Sequence, residues 1–255
     1  MDQLWNTIRQ AQGLYPRLFS QTTSTNWGCL FHNPRNTLSI EANHAVVLEP
    51  QEDYVTALKE AEAFYKEKNL PTRVYFYLPQ TEEITLQQAT ELAGGTLTCS
   101  PLQLLTCRQP KEKAVSTPLQ FAHLNEWDPM VNENIIGENL HLEGILRGSM
   151  AHDTYTLTVG YLFGTPATMA SMWDDGEVMR ISNVMTGEGF RGCGFAGSLI
   201  LHMLSLAAEK NKPAYLFADN PVAIRVYERA GMTIEQPNFS LYVWEDTEHI
   251  QQDGC

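Results

Sequence analysis

Asn183-Val-Met-Thr-Gly-Glu-Gly-Phe-Arg-Gly-Cys-Gly-Phe-Ala-Gly197 carries the plainest local signals in the chain. An apolar strand pattern ends near Thr186, and a short polar loop follows. Arg191-Gly-Cys-Gly-Phe-Ala196 then leads into a helix with Phe195, Leu199, Met203 and Leu206 on one face. Strand, glycine-rich turn and helix start together present unpaired backbone N–H groups and a positive helix end, which suits a phosphate.

Upstream, Thr154–Phe163, Ala167–Trp173 and Glu177–Thr186 read as three strands. Gly164-Thr-Pro166 and Asp174-Asp-Gly176 between them are turn signals, so the three strands are expected to run antiparallel. Downstream, 213–218 is a strand. Asp219-Asn220-Pro221 starts a helix, with a cap residue before a proline at the first helical position. Gly231 closes that helix, and Phe239–Trp244 is a last strand. Leu119–His123 and one or two helices within 126–149 begin this half.

The first half shows a similar order. A short helix lies in 1–20 and a strand in Trp27–His32. Thr37–Glu41 and Ala45–Leu48 read as a hairpin around Ala42-Asn-His44. An amphipathic helix at 51–68, a strand at Arg73–Leu78, a helix ending at Gly94-Gly95 and strands at 96–99 and 102–107 complete it. The polar stretch Gln109–Pro118, with two prolines, marks the boundary, so the expected domains are 1–113 and 114–255. The expected fold is mixed α/β: a mostly antiparallel twisted sheet flanked by helices, in two related halves.

With 255 residues and 43% apolar content, the chain can bury one large core or two small ones. It has no run of eighteen apolar residues, and its first residues carry no secretory pattern. Five cysteines, Cys29, Cys99, Cys107, Cys193 and Cys255, form no C-x-x-C pair, so neither a zinc site nor a disulfide framework is expected. A reducing cytoplasm fits. The net charge is −13, with −2 in residues 1–115 and −11 in 116–255. Such a field repels nucleic acid. It is either acidic solubility or the mark of a cationic substrate.

Gly192-Cys-Gly194-Phe-Ala-Gly197 is a literal G-x-G-x-x-G, and Asp219 ends the next strand, as a dinucleotide site requires. Three features oppose that reading. Several loop residues separate Thr186 from Gly192, the preceding strands read as antiparallel, and only 36 residues follow Asp219. Arg191-x-x-Gly194-x-Ala196 instead resembles the Q/R-x-x-G-x-G/A signature of the GNAT superfamily of N-acetyltransferases. Asn220-Pro-Val-Ala223-Ile-Arg-Val-Tyr227-Glu-Arg-Ala-Gly231-Met232 resembles that family's second segment, with Met232 where phenylalanine is usual. The resemblance covers about residues 117–245.

The resemblance implies an acetyl-CoA co-substrate and no metal. Backbone N–H groups of Gly192, Cys193, Gly194, Phe195, Ala196 and Gly197 would hold the pyrophosphate, with Arg191 adding positive charge. Val184, Met185 and Thr186 would pair with the pantetheine, and an N–H near Met185 would polarise the thioester carbonyl. Tyr227 would protonate the departing thiolate, and Asn220 would either touch the cofactor or only cap its helix. Cys193 at a helix start is a candidate for a lowered thiol pKa. The family transfers the acetyl group directly, however, so this thiol is not assigned as a nucleophile.

The general base is open among Asp174, Asp175, Glu177, His141, Glu143, His152 and water. The expected activity is acetyl transfer from acetyl-CoA to a small primary amine, with no nucleic-acid or membrane partner. The alternative is a GNAT-fold regulator that binds acyl-CoA without turnover. The first half has no phosphate signature and reads as a degenerate copy.

Overall fold

Asp53 and Asn220 show how the chain starts its helices. Asp53 accepts the N–H of Thr56 at 3.0 Å, and Asn220 accepts that of Val222 at 2.9 Å. At the other end, Gly231 takes φ +106, and Met232 N–H returns to the Tyr227 carbonyl at 3.0 Å.

The computed structural model describes residues 3–112 and 116–246. In chain order the elements are α1 (Gln3–Leu14), β1 (Gln21–Ser24), β2 (Cys29–His32), β3 (His44–Val47), α2 (Tyr54–Glu67), β4 (Arg73–Leu78), α3 (Glu83–Ala93), β5 (Thr96–Cys99) and β6 (Gln103–Cys107). Then follow β7 (Gln120–His123), a π-helical turn (Asn132–Ile136), α4 (Leu140–Ser149), β8 (Tyr155–Leu162), β9 (Thr165–Asp174) and β10 (Met179–Thr186). The last are α5 (Phe195–Glu209), β11 (Ala214–Ala218), α6 (Pro221–Ala230), β12 (Thr233–Glu235) and β13 (Ser240–Glu245). No helix among the described residues is long and apolar enough to cross a membrane.

These elements form two units. The described residues of Met1–Pro101 and Pro237–Cys255 make the first, and Leu102–Gln236 the second. The first unit's sheet has the order β1-β2-β3-β4-β13-β5. Its core packs Tyr54, Leu58 and Tyr65 of α2 with Val74 and Phe76 of β4 and Trp244 of β13. The second unit's sheet has the order β12-β6-β11-β10-β9-β8-β7. There Leu199 and Met203 of α5 and Ile224 and Tyr227 of α6 pack with Ala170, Met172, Ile181 and Leu216 of the sheet.

Sheet membership does not follow the halving of the sequence. β6 lies between β11 and β12 in the second sheet, and β13 lies between β4 and β5 in the first. The two strands trade places because each finds its antiparallel partners there: β6 pairs with β11 over five residues, and β13 with β4 over six. The boundary expected between 113 and 114 lies outside the described residues, as does Cys255.

The hairpin expected around residues 42–44 is also replaced. Residues 37–41 form turns, not a strand. Asn43 organises them: its amide donates to the Asn36 and Ser39 carbonyls at 2.8 Å each and accepts from Asn33 N–H at 2.9 Å. The actual hairpin pairs β1 with β2, from Gln21/His32 to Ser24/Cys29.

Candidate functional site

β10 is parallel to β11 at only two positions, Met179/Ala214 and Arg180/Tyr215. Beyond Arg180 the strands part, while β10 continues along β9 to Thr186. A gap therefore opens beside the second half of β10 and leads to the glycine-rich turn.

The backbone groups on the gap side follow from the ladder. Met179 N–H donates to Pro213 O at 2.8 Å, away from β9. The register with β9 then slips by one residue between Ser182 and Met185, around Asn183 at φ +53. Past this bulge Gly187 N–H donates to Ala167 O at 3.0 Å, towards β9. Hydrogen bonding alternates along a strand, so Met185 also faces β9, and its carbonyl accepts from Thr168 Oγ1 at 2.7 Å. Val184 and Thr186 consequently turn their N–H groups to the gap. The N–H expected near Met185 thus belongs to its neighbours.

Gly187 is fixed by space. A Cβ there would stand 2.2 Å from the carbonyl oxygen of Asn134, in the π-helical turn that packs on β9 and β10. Gly187→Ala is expected to cost about 1–3 kcal/mol through overpacking, seen as a lower midpoint of thermal unfolding; an unchanged midpoint would contradict this close approach.

The turn itself carries two left-handed glycines, Gly192 at φ +80 and Gly194 at φ +78. A Cβ at either meets nothing within 4 Å, so it is the backbone that requires glycine, and the space in front is open. Gly194 precedes α5 with no side-chain cap. Ser198 N–H is the first in the helix to be paired, with Gly194 O at 3.1 Å. The N–H groups of Gly192, Cys193, Gly194, Phe195, Ala196 and Gly197 have no protein acceptor among the described residues. That row of free donors at a helix N-terminus is an anion cradle.

The side chains of this stretch do less than its backbone. Phe195 is buried against Leu119 and Ala167. Gly197 would bring a Cβ only to ordinary contact with Val226 Cγ1, 3.7 Å away. Cys193 is exposed, with Sγ 3.9 Å from Arg191 O. Arg191 is exposed, and its Nε reaches Thr186 O at 3.4 Å, on the gap side. No group of metal-ligating side chains occurs among the described residues.

Tyr227 is buried on α6, in the same core as Ala218 at the end of β11, a core against which Val184 of β10 packs. Burial raises its phenol pKa above the ordinary value. Its hydroxyl has no protein partner among the described residues. Asn220 is the α6 cap, the simpler of its two expected roles.

The candidate bases fare poorly. Asp174, Asp175 and Glu177 occupy the turn at the start of β10, where Asp174 pairs with Met179. That is the wrong end: eight residues of strand put it roughly 23 Å from Thr186. Asp174 binds Lys212 at 2.5 Å and Lys210 at 3.0 Å. Burial would raise its pKa, yet the two lysines and Gly176 N–H outweigh it and hold the carboxyl below the usual range. A depressed carboxyl stabilises the fold above its unfolded-state pKa, and the effect fades as pH falls through the folded value. Asp174→Asn is expected to cost about 1 kcal/mol at neutral pH, allowing for screening of the exposed Lys210, with the difference vanishing in acid. Parallel thermal melts at pH 7 and pH 3 check the sign; an equal deficit at both would contradict the ion pair.

Glu143 on α4 accepts from Asn132 Nδ2 at 2.6 Å and Arg147 at 2.9 Å, and these bonds lower its pKa. His141 and His152 are exposed. Sequence reasoning passed over Asn183, Ser171 and Gly187, whose importance lies in a bulge and a close approach.

The first unit repeats the strand–helix–parallel strand arrangement as β3, α2 and β4 without a gap. β3 pairs with β4 along Ala45/Val74, Val46/Tyr75 and Val47/Phe76, up to its last residue. The α2 N-terminus is filled by the Asp53 carboxylate, and Arg9 binds the Leu48 carbonyl and Glu49. An anion there would meet the Asp53 carboxylate first.

Residues 136–232 match the family model described as Acetyltransferase (GNAT) family. The whole chain is similar in structure to a GCN5-related N-acetyltransferase from Kribbella flavida, with TM-score 0.66 and 16% identity over 97% of each chain. A functionally unknown conserved protein from Staphylococcus epidermidis gives TM-score 0.60 at 14% identity over 90% of this chain and 94% of that one. A tandem GNAT protein from the clavulanic acid biosynthesis pathway gives 0.57 at 11% identity over 86% and 78%. The sequence comparison with curated proteins finds no match. The matched residues lie wholly within the second unit, and the chain shares its fold with solved GCN5-related N-acetyltransferases.

Proposed function

We propose that the second unit transfers an acetyl group from acetyl-CoA directly to a small primary amine. The observation that carries this reading is the gap between β10 and β11, ending on six unpaired N–H groups at Gly192–Gly197. A diphosphate fits that cradle, and an extended pantetheine fits the free edge of β10. The N–H groups of Val184 and Thr186 lie where a thioester carbonyl would gain from hydrogen bonds as negative charge develops on it.

Tyr227 is the general acid of this proposal. Its raised pKa keeps the phenol protonated at neutral pH, ready to hand a proton to the departing thiolate. Asp174 and Glu143 are held as ion pairs, so the acceptor would lose its proton to water or bind already neutral. The acidity of residues 116–255 supports a cationic acceptor and disfavours nucleic acid. A cytoplasmic location belongs to the same proposal, since the exposed free thiols Cys99 and Cys193 suit a reducing compartment.

One observation favours the second reading, an acyl-CoA-binding regulator: neither Asp174 nor Glu143 is available as a base. Free-thiol release from acetyl-CoA against a panel of amines separates the two. The enzyme reading expects acceptor-dependent release. Tight acetyl-CoA binding without release for any amine would establish the regulator.

A further inference from the structure

The bulge in β10 is held by three side chains for which neither the fold nor the anion cradle accounts. Ser171 of β9 is fully buried. Its Oγ donates to the Ser182 carbonyl at 3.1 Å. The same oxygen accepts from Asn183 Nδ2 at 3.0 Å and lies 2.8 Å from Ser182 Oγ. One hydroxyl thus ties Ser182, the last residue before the slip in register, to Asn183 within it. Asn183 itself sits at φ +53, a conformation in which asparagine is among the better-tolerated side chains.

Everything on the gap side depends on that one extra residue. Before it, Met179 N–H points away from β9; after it, Gly187 N–H points towards β9. Both are odd-numbered, so a regular strand would have aimed them the same way. The bulge therefore reverses the alternation and selects Val184 and Thr186 as the residues facing the gap. It also lies just past Arg180, where pairing with β11 ends, and a bulge bends and twists its strand.

We propose that Asn183 and Ser171 are positioning residues for the thioester carbonyl: their hydrogen bond holds the bulge that aims the Val184 and Thr186 N–H groups into the gap. The inference rests on the acetyl-CoA reading of the same site. Neither side chain touches the substrate. They act by fixing donors whose placement matters to within about an ångström.

The test uses the full-length chain, acetyl-CoA carrying ¹³C at the acetyl carbonyl, and CoA itself, which has no such carbonyl. Asn183→Gly keeps the positive φ and deletes the amide; Ser171→Ala deletes the hydroxyl from the other side of the same bond. Wild type is expected to move the bound carbonyl stretch to lower wavenumber than in solution. Each variant should lose more than about half of that shift, while its Kd for CoA stays within about threefold of wild type. A purely structural role would not separate these readouts.

A full shift in both variants overturns the assignment of Asn183 and Ser171 alone. Loss of the shift together with more than about tenfold weaker CoA binding also overturns it, because the residues would then be holding the strand as a whole. Wild type that binds neither acetyl-CoA nor CoA brings down the cofactor reading, and this one with it.

Discussion

Gly194→Asp is expected to abolish acetyl-CoA binding and leave the fold in place. Gly194 is left-handed at φ +78, and a Cβ there meets nothing. Aspartate is among the side chains that visit this conformation, at a cost of about 1–2 kcal/mol. Its carboxylate would stand before the free N-terminus of α5, where the helix dipole returns about 0.3–1 kcal/mol. The same carboxylate would occupy the space proposed for the diphosphate. Two like charges about 4 Å apart repel by about 4 kcal/mol at an effective dielectric of 20, so affinity should fall by at least about a hundredfold. Gly194→Asn has nearly the same shape without the charge and should lose far less. Calorimetric titration of both variants decides the matter. If Gly194→Asp binds acetyl-CoA as wild type does, the cradle is not where the diphosphate sits.

Tyr227→Phe is expected to lower kcat by about a hundredfold or more, within the range of a lost general acid, with little change in the Kd for acetyl-CoA. The phenol has no protein partner among the described residues, so its removal leaves no protein donor or acceptor stranded, and thermal stability should hold. The pH profile gives the sign. A raised pKa means the tyrosine keeps its proton past the ordinary tyrosine value, so wild-type kcat should not decline from this group until well into the alkaline range. A Phe variant with wild-type kcat would return Tyr227 to the role of a core aromatic, which its packing beside Ile224 and Ala230 already satisfies.

The second unit was legible because its signals are local. Gly192 and Gly194 announce a turn, Asn220-Pro221 a helix start, and Gly231 a helix end, and each is found in that role. The three antiparallel strands before the turn are also present as read. What escaped was non-local. Nothing within Gln103–Cys107 or Ser240–Glu245 says which sheet the strand will join, since pairing partners lie more than a hundred residues away. The carboxylates at 174–177 looked close to the site in sequence, but eight residues of strand carry them to its far end. The alternation along β10 could not be counted either, because one residue, Asn183, changes its parity. Thr37–Glu41 read as one strand of a hairpin, whereas a buried asparagine amide holds that segment in turns.

A crystal structure of the full chain with CoA would decide where the cofactor lies. The diphosphate oxygens are expected within hydrogen-bond distance of the N–H groups of Gly192–Gly197, and the pantetheine along β10 in the gap beside Val184 and Thr186. CoA bound elsewhere, at the α2 N-terminus or outside the gap between β10 and β11, would contradict it.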